Sequence, residues 1–287
     1  MRVAVLGATG KTGRHLVPRL CADGHAVIAI GRSPARLDTL DPRAETALAD
    51  LERPETLAPA LAGAECVVSL AHARFTEALL AALPATCGRV ILTGSTRCFS
   101  ALPDAAADAV RAGAAAFAAS GRSGVMLHPS MIYGAPEERN VNRVLALIRR
   151  WPRRLPLLLP LPDGGRHRVQ PVFVDDVVAA FAAAITGAEA CGRPIVLAGP
   201  EPIAYAHLVR ACAAALGRRA HVLPLPVALL VGLARLLRGL GLSPPFGPEE
   251  LRRAAENKRF DVAPMRRRLG ISPRPFEEGL ARIVDCG

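Results

Sequence analysis

Lysine, tyrosine and tryptophan are nearly missing from this chain. Of 36 basic residues only Lys11 and Lys258 are lysines; the tyrosines are Tyr133 and Tyr205, and there is one tryptophan. Aromatic residues make up 4% of the composition, too few for base-stacking platforms, and no basic-aromatic motif occurs, so nucleic acid is not expected as a partner. The seven cysteines form no Cys-x-x-Cys pair and no Cys/His cluster. That excludes a zinc site of the usual spacing and fits reduced thiols in a cytoplasmic protein; no metal is expected. No long polar tract is present, which excludes extended disorder. An apolar run long enough to span a bilayer is missing too. In LPLPVALLVGLARLLRGLGL (223–242) the uninterrupted stretch is short of about 20 residues, and Arg235 and Arg238 break its end. It reads as a partly buried amphipathic helix, with peripheral contact to a membrane surface as the other reading. The opening MRVAVLG already has a buried-strand pattern, so no signal or transit peptide is expected.

What is present is a large apolar fraction, 51% of 287 residues, enough for one large domain or a domain with a lobe. The net charge of +11 is unevenly placed. Residues 1–139 carry 14 Lys+Arg against 13 Asp+Glu, whereas residues 140–287 carry 22 against 12. The basic excess of the second half suits an anionic small-molecule substrate, an acidic partner or an anionic membrane surface. An arginine-rich composition alone would also produce it. The oligomeric state is not encoded in any motif.

The first half alternates apolar runs with helical stretches. Strands are expected at RVAVLG (2–7), AVIAIGR (26–32), ETALAD (45–50), CVVSLAHA (66–73), RVILTGS (89–95) and GVMLHPS (124–130). The segments between them place apolar residues at helical spacing and several end near glycine. Near-continuous apolar strands alternating with helices imply α/β architecture: a doubly wound parallel sheet of Rossmann type, covered on both faces, with right-handed crossovers. Residues 1–135 form this dinucleotide-binding core, and 136–287 a smaller C-terminal lobe in which 168–200 returns to the core sheet. In that lobe VNRVLALIRRW (141–151) reads as a helix stopped by Pro152, and PRRLPLLLPLPDGGRHR (152–168) as a loop or lid. VQPVFVDDVVAAFAAAITG (169–187) reads as a short strand and a helix whose first turn holds Asp175 and Asp176, where acids suit the helix dipole.

Gly7, Gly10 and Gly13 in VLGATGKTGRHL are spaced G-x-x-G-x-x-G. One glycine permits the tight turn, another lets the backbone approach a pyrophosphate, and the third lets helix pack on strand. Thr9, Lys11 and Thr12 complete the loop, and the free N–H groups of the helix that follows face the phosphates. The end of the second strand selects the cofactor. NAD binders place an acid there, but this chain has Gly31-Arg32-Ser33 with Arg36 one turn on. Arg32 can stack on adenine and pair with a 2′-phosphate, so NADP(H) is favoured over NAD(H). Asp50 and Leu51 follow the third strand within reach of the adenine, and Leu70, Ala71 and His72 end the fourth at the ribose edge.

Together these residues resemble the short-chain dehydrogenase/reductase superfamily, in its extended and atypical branches. The resemblance rests on GATGKTG, ALADL, VVSLAHA, ILTGSTRCFS and HPSMIYG, the last containing Pro129 in the cofactor pocket. QPVFVDDV and LGISPRPFEEGLARIV extend it over nearly the whole chain. It is similar to the epimerase/dehydratase-like members, including relatives of an accessory subunit of respiratory complex I. The resemblance implies a Tyr-x-x-x-Lys pair after the fifth strand, the tyrosine exchanging a proton and the lysine lowering its pKa and holding the nicotinamide ribose. Neither residue occurs in DAAADAVRAGAAAFAASG (104–121); Arg111 falls near the lysine position and alanines fill the tyrosine region. Arginine can grip a ribose but its pKa is too high for proton exchange. Ser95 matches the family serine that hydrogen-bonds a substrate carbonyl, and could equally be a turn or cap residue. Ser95 and His72 are the catalytic candidates. Tyr133 and His128 are expected to pack.

Two functions follow: an NADP(H)-dependent oxidoreductase or epimerase-like enzyme working without the dyad, or a non-catalytic cofactor-binding regulatory or assembly protein.

Overall fold

The structure is a computed structural model that describes residues 1–187, 192–242, 246–254 and 256–285. The first half alternates strand and helix: β1 (Arg2–Leu6), α1 (Gly13–Ala22), β2 (Ala26–Gly31), α2 (Pro34–Leu37), β3 (Glu45–Leu48), α3 (Leu57–Ala60), β4 (Cys66–Ser69), α4 (Thr76–Ala81), β5 (Arg89–Thr93), α5 (Ala105–Ala119) and β6 (Gly124–Pro129). The order continues with β7 (Ile132–Tyr133), α6 (Val141–Arg150), β8 (Leu157–Pro162), β9 (Arg168–Val169), β10 (Val172–Phe173), α7 (Val174–Thr186) and β11 (Ile195–Leu197). It closes with β12 (Ile203–Ala204), α8 (Tyr205–Ala215), β13 (Ala220–Leu225), α9 (Val227–Gly239), α10 (Pro248–Ala254), α11 (Ala263–Leu269) and α12 (Phe276–Asp285).

Two compact units result. The first comprises Met1–Ser130, Val174–Leu197 and Asp261–Ser272. Its seven-stranded sheet has the order β11-β6-β5-β4-β1-β2-β3, and every pairing in it is parallel. The apolar runs explain this. Val3, Val5, Val27, Ala29, Val68 and Ile91 turn to one face and Ala4, Leu6, Ile28, Ile30, Val67 and Leu92 to the other, all buried. A strand buried on both sides needs helices on both sides. On the second face sit Leu57, Ala60 and Leu61 of the α3 region, Leu79 of α4 and Phe117 of α5. Helix α7 packs on α1, α11, β5 and β6. Arg89 caps α7, its guanidinium donating to the carbonyls of Ala184, Ile185 and Gly187 at 3.0, 3.1 and 2.9 Å.

The second unit comprises Met131–Phe173, Ala198–Phe260 and Pro273–Gly287. It holds three two-stranded ribbons, β10-β7, β12-β9 and β13-β8. Tyr133 is fully buried there, its hydroxyl donating to the Phe276 carbonyl at 3.2 Å and its ring edge-on to Phe173 with centroids 5.3 Å apart. Residues 152–168 depart from the loop that their prolines suggest. Leu157–Pro162 forms β8, parallel to β13 from Ala220 to Leu225. Leu157, Leu159 and Leu161 are buried while Leu158 and Pro160 are exposed, which is strand alternation. In a two-stranded ribbon each strand keeps one unpaired edge, and there proline's missing N–H costs nothing. Segment 223–242 folds as the end of β13 and helix α9. Among the described residues no helix is long and apolar enough to cross a membrane.

Candidate functional site

All strands of the sheet are parallel, so their C-terminal ends share one edge. β1 lies between β4 and β2, so the chain reverses its winding direction at β1, and ligands of open α/β sheets sit outside that switch point. The glycine turn leaves β1 there. Gly7 has φ +78°, a conformation L-residues resist, and the N–H groups of Gly7 and Ala8 donate to the Ile30 carbonyl at 3.1 and 3.2 Å. Gly10 donates to the Gly7 carbonyl at 2.9 Å. A Cβ on Gly13 would stand under 3.0 Å from the carbonyl oxygens of Gly7 and Ala8, so glycine is what lets α1 start against the loop. Among the described residues, no backbone acceptor meets the amides of Lys11, Thr12 and Gly13. Three adjacent free N–H groups at a helix N-terminus form an anion cradle.

Lys11 belongs to this cradle, and Arg32 and Arg36 follow the neighbouring strand β2. Lys11, Arg32 and Arg36 are exposed, and among the described residues none has an ion-pair partner. Arg32 follows β2 directly. A Cβ on Gly31 would reach 3.4 Å from Thr9 Cγ2, so the glycine loop and the end of β2 adjoin. Gly31 thereby joins the candidate site, and a glycine closing a buried strand is the sequence signal for it.

Beyond β3, the Asp50 carboxylate accepts from the Glu52 N–H at 3.1 Å and its backbone is clasped by Thr56 Oγ1 at 2.9 Å. Leu51 packs partly against the core. Past β4, Leu70 donates to the Leu6 carbonyl at 2.9 Å, while Leu70 and Ala71 stay half-buried. His72 is exposed, and its Nδ1 accepts from the Arg74 N–H at 3.2 Å. Its pKa is lowered by partial burial first and by Arg74 and Arg97 next. The ring is therefore neutral near pH 7, and with Nδ1 accepting, its hydrogen sits on Nε2, which is a donor.

After β5, Ser95 Oγ accepts from the Arg97 N–H at 3.2 Å, capping the turn at 96–99. The same serine's backbone N–H donates to His128 Nδ1 at 3.1 Å. His128 is 2% exposed; burial lowers its pKa, opposed by the nearby Ser95 carbonyl. Cys98 Sγ lies 3.7 Å from the same nitrogen, and burial pushes its thiol up. Gly94 makes room for the imidazole, since a Cβ there would overlap it. This cluster could not be read from the sequence, where Ser95 and His128 stand far apart.

Helix α5 contains neither tyrosine nor lysine. Arg111 turns to the 96–100 turn, donating to the carbonyls of Cys98 at 3.2 Å and Ser100 at 3.3 Å and pairing with Asp108 at 2.9 Å. Gly113 lets α5 approach the segment after β4: a Cβ there would come under 3.0 Å from the Ala73 carbonyl. Pro129 closes β6, buried beside Leu197 of β11.

Residues 7–129 match the family described as NAD(P)H-binding. An uncharacterized protein of Mycobacterium tuberculosis is 31% identical over 232 residues, 76% of this chain and 23% of that protein. The chain thus spans about a quarter of the length of the curated relatives it first matches. Among solved structures, the NADPH-dependent quinone oxidoreductase QOR2 of Escherichia coli, complexed with NADPH, superposes with a TM-score of 0.76 at 20% identity, covering 98% of this chain and 99% of that one. UDP-glucose 4-epimerase of Thermotoga maritima, with UDP-glucose, gives 0.75 at 16% identity, covering 99% and 98%.

The chain shares the α/β fold of these structures over nearly its whole length. The segment that matches the NAD(P)H-binding family holds the glycine cradle and its free amides, a geometry that fits a pyrophosphate.

Proposed function

We propose that this protein binds NADP(H) and is an oxidoreductase or epimerase-like enzyme that works without a Tyr-x-x-x-Lys pair. The observation that carries the cofactor choice is the set of unneutralised cations, Lys11, Arg32 and Arg36, beside an anion cradle. The amides of Lys11, Thr12 and Gly13 would hold the pyrophosphate, with Thr9 and Gly10 shaping the loop. Arg32 would clasp the 2′-phosphate, with Arg36 and Lys11 adding field. Asp50 and Leu51 would border the adenine, Leu70, Ala71 and His72 the ribose, and Pro129 the nicotinamide. The nicotinamide, when bound, supplies or accepts a hydride. The proton is left to this chain. The Ser95 hydroxyl uses its lone pairs on the Arg97 N–H and keeps its own hydrogen for a substrate carbonyl. His72 would be the acid–base partner: its Nε2–H can donate to the substrate, and Nδ1 can take up a proton once the Arg74 N–H lets go.

Substrate class follows from charge and likeness. The relatives by fold act on a quinone or on UDP-glucose, and the basic second half of this chain suits an anionic small molecule.

A second reading has one specific observation in its favour. Arg111 falls near the position at which the resemblance puts a lysine to hold the nicotinamide ribose, and its guanidinium is spent on the Cys98 and Ser100 carbonyls. That fits a cofactor-binding regulatory or assembly protein without turnover.

Calorimetric titration with NADPH and NADH tests the binding claim. NADPH is expected to bind about tenfold or more tightly than NADH, since a charge-assisted contact contributes about 1.5–3 kcal/mol. Equal affinities would remove the 2′-phosphate assignment. Consumption of NADPH absorbance with quinones, carbonyl compounds and nucleotide sugars then separates the enzyme from the binding protein. Turnover lowered by Ser95→Ala supports the first; tight binding without consumption supports the second.

A further inference from the structure

Helix α9 has thirteen residues, VALLVGLARLLRG, and is therefore about 20 Å long. Its inner face carries Leu230, Val231 and Ala234, all buried. The opposite face carries Leu229, Leu233, Leu236 and Leu240, exposed to 57, 49, 60 and 67%. Their spacing of four, three and four residues aligns them in one stripe. Ala228, Gly232 and Gly239 fill the outer surface beside the stripe, all exposed. The only charges on the helix are Arg235 and Arg238. A helix apolar on both faces ordinarily lies in a core or against something that covers it.

The charge of the same unit identifies the covering surface. Residues 139–162 and 202–248 contain no aspartate or glutamate. Between them these stretches hold eleven arginines, which account for the basic excess of the second half. Arg149, Arg150, Arg153, Arg154 and Arg219 are exposed, as are Arg235 and Arg238 on α9 itself. Among the described residues none of these seven has an ion-pair partner. A second copy of the chain joined through this face would bring a second pair of arginines and no acid from the helix to neutralise either pair. A nucleic acid would match the arginines but leave four leucines unsatisfied. Exposed leucines on a unit rich in unneutralised arginines match one surface in both respects, a bilayer with anionic headgroups.

We propose that α9 docks this protein on anionic membrane, lying in the interface plane with Leu229, Leu233, Leu236 and Leu240 among the acyl chains and Arg235 and Arg238 at headgroup level. The inference stands on the second unit alone and does not depend on the dinucleotide reading. Binding of this kind is reversible, because one short helix buries far less apolar area than a spanning segment.

Vesicle co-sedimentation of the full chain tests it. Wild type is expected to partition onto vesicles of phosphatidylcholine and phosphatidylglycerol mixed about two to one, to stay in solution with phosphatidylcholine alone, and to be released by salt as screening shortens the Debye length to about 3 Å at molar strength. L233Q/L236Q is expected to lower partitioning about tenfold or more, with the melting temperature unchanged because both side chains are exposed. Should that variant fail to fold, R235Q/R238Q supplies the same readout through the headgroup term. Failure of folded wild type to sediment with the anionic vesicles would overturn the proposal. So would equal partitioning of the variants, or a wild-type dimer that L233Q/L236Q dissolves, which would make the occupant a second copy.

Discussion

The backbone N–H of Ser95 donates to Nδ1 of His128 across 3.1 Å, tying the end of β5 to its neighbour β6 beneath the catalytic candidate. The bond needs an unprotonated nitrogen, and burial of the imidazole supplies one by lowering its pKa from 6.5. The unfolded chain takes a proton near 6.5 that the native ring refuses. The unfolded state therefore binds more protons in that window, and stability falls as pH drops below about 6.5 toward the lowered native value. Denaturant midpoints recorded between about pH 8 and pH 5 should fall for the wild type. They should fall less steeply for His128→Gln, whose amide cannot titrate. Parallel profiles would show that this histidine is not coupled to folding.

Gly94 lies against the same ring. Gly94→Ala places a methyl group inside the imidazole's volume, so β5 and β6 must shift or His128 must leave its rotamer. A loss of about 1–3 kcal/mol in unfolding free energy is expected. In the double variant with His128→Ala the penalty of the added methyl should largely vanish, which denaturation of the four proteins in the cycle would reveal.

Gly13→Ala would set its Cβ under 3.0 Å from two carbonyl oxygens of the glycine loop. The start of α1 would be pushed off the loop and the free amides with it. Dinucleotide affinity should fall about tenfold or more, equivalent to ~1.4 kcal/mol. Calorimetry on the folded variant measures this. Undiminished affinity would separate the amides from binding.

Arg32→Ala should weaken NADPH by about tenfold to a hundredfold while changing NADH little, because one charge-assisted contact is lost to the first ligand only. The difference should shrink in high salt, since Arg32 is exposed. Fluorescence titration of both nucleotides in low and high salt checks both statements.

Arg89→Met removes three guanidinium contacts from the last turn of α7 and keeps the aliphatic bulk. About 2 kcal/mol of stability should be lost, since those carbonyls have no intrahelical partners and sit at the negative end of the helix dipole. Thermal unfolding would register it. Nucleotide affinity should stay as in the wild type, because Arg89 lies at the N-terminal end of β5, away from the cradle.

The first half is readable because its signals are local. Strands β1 to β6 fall inside the apolar runs at 2–7, 26–32, 45–50, 66–73, 89–95 and 124–130, each trimmed at its end. The glycine spacing located the turn, and Arg32 stood out as a cation where an acid is usual. Residues 152–168 read as a loop because their prolines act locally as breakers, although Leu157, Leu159 and Leu161 alternate as a strand does. Only a parallel partner some sixty residues on, in β13, decides between those readings.

In the first half the sequence by itself determined which segments are strands, which are helices, and where the glycine turn sits, because backbone hydrogen bonding and the period of burial are set over a few neighbouring residues. The tertiary structure alone decided that Ser95 leans on His128, that Arg111 is committed to the Cys98 and Ser100 carbonyls, and that four leucines of α9 face outward while three apolar neighbours face in. Those outcomes depend on which distant surfaces meet, and no local period in the chain records that.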